Sequence, residues 1–149
     1  MKKAKIFPPM LFNSSVIFMI LLHFIFPVKD IIPGYWKLLG IIPFFGGVSF
    51  NLITDRALKV NNTTVKPGEE SEVLITGGIY KFSRNPMYLG MVMILAGVAL
   101  FLGSLSPFFV IIIFTFLLDK MFIRIEEEML GAKFGKLWFH YKKSTGKWI

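Results

Sequence analysis

The residues whose types and spacing could do chemistry are Glu126 and Glu127 near one end of the chain, and Arg84, Tyr80 and Tyr88 in its middle. The glutamates lie in I-E-E-E-M-L-G-A-K-F-G-K-L-W-F-H-Y, Ile125 to Tyr141, where Leu130, Phe134, Leu137, Trp138 and Tyr141 recur at helical spacing. At about 100° per residue the apolar stripe centres near Leu130 and Phe134. Glu127 falls within roughly 40° of that centre and Glu126 within roughly 65°, whereas Glu128 points away. A carboxylate flanking a buried face is costly without a cation. Glu126 and Glu127 therefore call for a cationic partner or ligand, and Glu128 reads as solvated. A run of three acids is more often plain helix surface; the angles put ligand binding level with that reading.

The central stretch is T-G-G-I-Y-K-F-S-R-N-P-M-Y-L-G, Thr76 to Gly90, which ends a polar loop and opens an apolar run. Asn85 is a preferred helix cap, and Pro86 suits the first helical position because its missing N–H would be unpaired there anyway. A helix is predicted to start at Pro86. Its free N–H groups and positive dipole end, beside Arg84, make an anion site, and Tyr80 and Tyr88 supply aromatic walls.

The elements that must position these groups are apolar. The chain has 149 residues, 54% of them hydrophobic, and a mean hydropathy of +0.64. That predicts an all-α integral membrane protein of about four transmembrane helices, roughly 10–26, 38–53, 87–102 and 107–123. A C-terminal amphipathic cytosolic helix, roughly 125–142, would lie at the surface. The whole chain reads as one domain. The basic start and apolar stretch also suit a signal peptide, but no small-residue cleavage site comes after them, so an uncleaved anchor is expected. Gly46 and Gly47, and Gly90 and Gly97 seven apart, are suited to close helix packing. Twelve residues from Pro107 to Leu118 rise only about 18 Å, so that helix should continue past Asp119 and Lys120.

Lys and Arg number three at the N-terminus, two in the first turn region, five in the long loop, none in the second turn and seven after Leu118. An even number of spans with both termini and the long loop cytoplasmic satisfies that bias. The location expected is a bacterial or archaeal cell membrane. The formal charge of +8 is placed for membrane lipids rather than nucleic acid. The absence of Cys excludes disulfides and a thiol nucleophile, and two distant His, His23 and His140, make no metal site. Both read as packed or interfacial residues.

The same residues carry a resemblance. Gly78-Ile79-Tyr80, then Arg84-Asn85-Pro86-Met87-Tyr88-Leu89-Gly90, and later Glu126-Glu127, Leu130, Phe134-Gly135, Trp138 and Tyr141 stand in the order and spacing of G-x-Y, R-H-P-x-Y-x-G and E-E-x-x-L-x-x-x-F-G-x-x-Y-x-x-Y. Over its C-terminal half the chain resembles the isoprenylcysteine carboxyl methyltransferase and phospholipid methyltransferase group of membrane enzymes. The resemblance implies S-adenosylmethionine as methyl donor, contacted by Glu72, Val73, Leu74, Ile75, Tyr80, Asn85, Pro86, Met87, Tyr88 and Glu126. It implies a lipophilic acceptor, an isoprenylcysteine-type carboxylate or a lipid nucleophile, at the cytosolic interface. Arg84 or Arg124 would orient an anionic acceptor, and Glu127 would take a proton from an amine. Asn85 stands where the group has His, which removes a titratable group. Phe122 stands where the isoprenylcysteine enzymes have a substrate-binding Arg. The alternatives are a nicotinamide-dependent membrane reductase, for which no G-x-G-x-x-G is present, and a non-enzymatic helix bundle.

Overall fold

The computed structural model describes residues 7–63 and 72–149. The basic N-terminus and the stretch 64–71 before Glu72 lie outside the described residues. The architecture is all-α. Helix α1 spans Pro8–Ile25, and α2, Ile41–Val60, continues a 3-10 segment Gly34–Gly40. A single 3-10 turn, Gly78–Lys81, precedes α3, Pro86–Leu102. Then α4, Ser106–Leu118, passes through a π-helical turn, Asp119–Ile123, into α5, Arg124–Phe134, and α6, Lys136–Ser144, ends the chain's helices. Proline stands in the first turn of α1, α3 and α4, where it costs no hydrogen bond.

Two helices are long and apolar enough to cross a membrane, Pro8–Ile25 and the continuous Gly34–Val60, with Pro86–Leu102 apolar and slightly shorter. Their outward faces expose large apolar side chains such as Phe18, Phe24, Phe45 and Leu52, and α4 adds Phe109, Ile112 and Phe116. The second helix runs past the expected end at 53 to Val60. Its last turns are polar, and an Asp55–Lys59 ion pair of 2.6 Å spans one of them.

The core lies between α1, α3 and α4. Met19, Leu95, Phe114, Leu118, Phe122 and Ile123 are essentially inaccessible. On the other side α3 meets α2 backbone to backbone. A Cβ on Gly47 would sit 2.4 Å from the Gly90 carbonyl oxygen, and one on Gly97 would sit 2.6 Å from that of Gly40. Both α3 glycines therefore face α2, as their spacing predicts. Gly47→Ala should cost about 1–3 kcal/mol through forced separation of the helices. Gly77→Ala, which meets open space, should be close to neutral. Thermal unfolding in detergent compares them.

The C-terminal half departs from expectation twice. The fourth helix does continue past Asp119 and Lys120, but through a π turn. The extra residue rotates the helix beyond it and buries both Phe122 and Ile123. The expected single helix over 125–142 is broken at Gly135, whose φ of 50° and ψ of −120° are open to glycine and strained for other residues. The break folds α6 back, so that Trp138 packs against Gly131.

Candidate functional site

Three separated pieces of chain converge beside the start of α3. The turn Gly78–Lys81 brings in Ile79 and Tyr80, and α6 brings Trp138 and Tyr141, to form a second buried apolar cluster. The Tyr141 hydroxyl donates to the Tyr80 carbonyl at 2.6 Å, which locks α6 onto the turn. From α5, Glu126 and Glu127 point inward and are half-buried, while Glu128 is exposed. The angular reading of the three acids thus matches their burial.

Glu126 accepts a hydrogen bond of 2.5 Å from the Tyr88 hydroxyl. Burial pushes its carboxyl up to about 7, against the lowering effect of that hydrogen bond. Tyr141 is pushed up to about 12 by burial, partly offset by Arg84, and Tyr80 is raised further by burial, Tyr141 and Glu126. Both phenols are neutral donors. Glu127 is ion-paired instead, 3.1 Å from Arg84 Nη2 and 3.0 Å from Lys142 Nζ.

A small cavity of about 50 Å³ lies among these groups. Val73, Leu74 and Ile75 line it together with Tyr80, Asn85 and Glu126. Arg84 also reaches it. Sequence reasoning did not assign Leu58 or Thr63 to a site, and took Leu130, Trp138 and Tyr141 as apolar stripe and motif positions without a site role; all five line this cavity. The stripe and the motif block were the available signals for the last three. The Thr63 hydroxyl and Arg84 Nε are buried with no hydrogen-bond partner among the described residues, which is a cost unless a ligand answers them.

Several expected site residues stand elsewhere. Glu72 is exposed, and Pro86, Met87 and Tyr88 do not line the cavity, Tyr88 meeting it through Glu126 alone. Arg124 lies outside it, half-exposed and tied to Asp119 at 3.2 Å. Asn85 precedes α3 but does not cap it through its side chain. Its amide donates to the Lys147 carbonyl at 3.0 Å, and its backbone N–H donates to Ser83 Oγ. The Arg84 N–H donates to the Gly146 carbonyl at 3.0 Å. The returning C-terminal segment therefore lies beside the α3 start, where its carbonyls accept from the Arg84 N–H and the Asn85 amide. Lys147 secures that segment with a 2.6 Å ion pair to Asp119. The Arg84 guanidinium pairs with Glu127, donates to the Lys142 carbonyl and lies 5.7 Å over the Trp138 ring.

Comparison with known proteins agrees with the placement of the motifs. A family model described as phospholipid methyltransferase matches residues 35–137. The protein-S-isoprenylcysteine O-methyltransferase of Saccharomyces cerevisiae is 40% identical over 86 residues, 55% of this chain and 35% of that protein. The chain thus spans about a third of the length of the curated relative it matches. No solved structure matches. The apolar helices and the family match together associate the protein with a membrane. The family model covers the first motif block whole, and the second from Glu126 through Leu137, so the helices that carry Tyr88 and Glu126 fall within it: the chain belongs to the phospholipid methyltransferase family.

Proposed function

We propose that this chain, a single domain, transfers a methyl group from S-adenosylmethionine to a lipophilic acceptor at the membrane interface. The observation that carries the proposal is the Tyr88–Glu126 hydrogen bond, which joins the two motif blocks beside a cavity that Glu126 lines and in which buried polar groups are left unanswered. S-adenosylmethionine supplies a methyl group activated on a sulfonium, open to in-line displacement. Such a reaction needs alignment and a dry site more than an acid–base pair.

The residues present fit that donor. Glu126 would hold its ammonium, with the Tyr88 hydroxyl fixing the carboxylate. Trp138, Tyr141 and Tyr80 give aromatic walls for adenine and for the positive sulfonium. Arg84 Nε and the Thr63 hydroxyl would bind acceptor atoms of the cofactor. The cavity is smaller than the roughly 300–1,000 Å³ of ordinary ligand sites. A neighbouring cavity of about 510 Å³ shares Leu74 and Tyr141 with it. Separation of those two side chains joins the spaces, so α6 and the segment Val73–Ile75 act as the cover. Positioning of the acceptor falls to the apolar helices. Glu127, already shared by Arg84 and Lys142, serves to hold this cover rather than to take a proton.

In the membrane, α1, α2, α3 and α4 with its π turn would be the four spans, with α5 and α6 on the cytoplasmic side with both termini. In detergent, saturating S-adenosylhomocysteine at about 100 times its Kd should stabilise the protein by about 2.7 kcal/mol, a rise of several degrees in Tm, while NADPH leaves Tm unchanged. A response to NADPH alone would move the chain to the reductase class. A response to neither would leave a non-enzymatic bundle.

A further inference from the structure

At the opposite end of α3 from Tyr88, a second built feature has no part in that chemistry. Between α1, α2 and α3 runs a slot of about 440 Å³ with almost no polar wall, formed around Gly40, Ile41, Phe44, Val98 and Phe101. It adjoins a cavity of about 620 Å³ through Phe101 and Leu102, and this second space is lined by His23, Tyr35 and Lys37. The slot centres on Gly97 to Leu102, about 16–24 Å along the helix from Pro86. An apolar slot that opens onto a cationic chamber has the form of an amphiphile.

The polar end is specific about charge. Lys37 is half-buried, and its ammonium lies over Gly103, where a Cβ would meet Lys37 Cε at 2.4 Å and Nζ at 3.1 Å. No carboxylate comes within ion-pair distance of Lys37 among the described residues. The carbonyl end of α3 answers part of its charge, but a helix terminus carries only about half an elementary charge. His23 Nδ1 shares a 2.7 Å hydrogen bond with Ser104 Oγ, which fixes the ring at the chamber wall. We propose that this slot and chamber bind one anionic phospholipid, an acyl chain between α1 and α2 and the phosphate on Lys37. The site is separate from the proposed methyl-transfer site and, with the orientation above, lies in the other leaflet.

The test uses the whole protein in nanodiscs of equal phosphatidylglycerol and phosphatidylcholine, released for native mass spectrometry. The expected result is retained phosphatidylglycerol in preference to phosphatidylcholine. Lys37→Gln should weaken that retention about tenfold, the scale of a charge-assisted hydrogen bond, and Lys37→Arg should preserve it. Ile41→Trp, which fills the slot from a half-exposed position, should lose both lipids, and Lys59→Gln at the other end should change nothing. Equal retention of the two lipids by the parent protein, or an undiminished preference in Lys37→Gln, would overturn the proposal. S-adenosylhomocysteine stabilisation is read in the same samples, so loss of the lipid site is distinguished from loss of the proposed enzyme site.

Discussion

Glu126→Ala should abolish measurable binding of S-adenosylhomocysteine, a loss on the order of a hundredfold or more, because removal of one member of a buried charge pair costs about 3–5 kcal/mol. Tyr88→Phe should cost less, about tenfold, since it removes only the hydrogen bond that orients the carboxylate. The pH dependence separates this role from a structural one. Glu126 titrates near 7 in the folded protein and near 4.5 as an ordinary glutamate. Between those values the folded state holds the proton more tightly than the unfolded state. Without ligand, this group's contribution to stability is therefore largest below about 4.5 and is lost as pH rises through 7, on the order of 3 kcal/mol in all. Ligand affinity runs the other way, because an ammonium needs the ionised carboxylate. Isothermal calorimetry from pH 6 to pH 8 should show tighter binding at the upper end, while the melting temperature of the ligand-free protein falls through this group. Glu126→Gln should flatten both trends. A ligand affinity with no rise over that range would remove Glu126 from the site.

That contrast rests on a feature legible in the sequence by itself. The angles of Glu126, Glu127 and Glu128 about the apolar stripe come from helix geometry alone, and burial sorts the three acids in the same way. The helix start at Pro86 and the facing glycines of α3 were equally local inferences. What the residues did not disclose is long-range or conformational. Gly135 reads as a tolerated glycine in an amphipathic helix, since a pattern of apolar residues continues across it, yet it takes a positive φ and turns the chain. The π turn at Asp119–Ile123 adds a residue that periodicity absorbs without trace. The carbonyls of Gly146 and Lys147 come up beside the α3 start from more than sixty residues away, and no local signal marks that return. Arg84 consequently looked open, and is instead the hub of an ion pair, a carbonyl hydrogen bond and a ring contact.

That hub gives the second large expected effect. The Arg84 and Glu127 side chains are 6% and 11% exposed, and 3.1 Å apart. Arg84→Ala leaves Glu127 with the half-exposed Lys142 as counter-charge and removes the cation over Trp138. The expected loss is about 3 kcal/mol, within the range for a broken buried pair. A double replacement, Arg84→Met with Glu127→Met, should regain most of that stability, because two packed apolar side chains remove both desolvation costs. Stability and ligand binding should then part company. Arg84 also presents a buried, unanswered Nε to the cavity, and methionine offers no donor there. The double variant should therefore melt close to the parent protein yet bind S-adenosylhomocysteine at least tenfold more weakly. Chemical denaturation and calorimetry on the same preparations measure the two quantities. If the double variant recovers binding along with stability, the pair only pins α6 to the turn that holds Tyr80. If it recovers stability alone, the same guanidinium that closes the cover also reads the ligand beneath it.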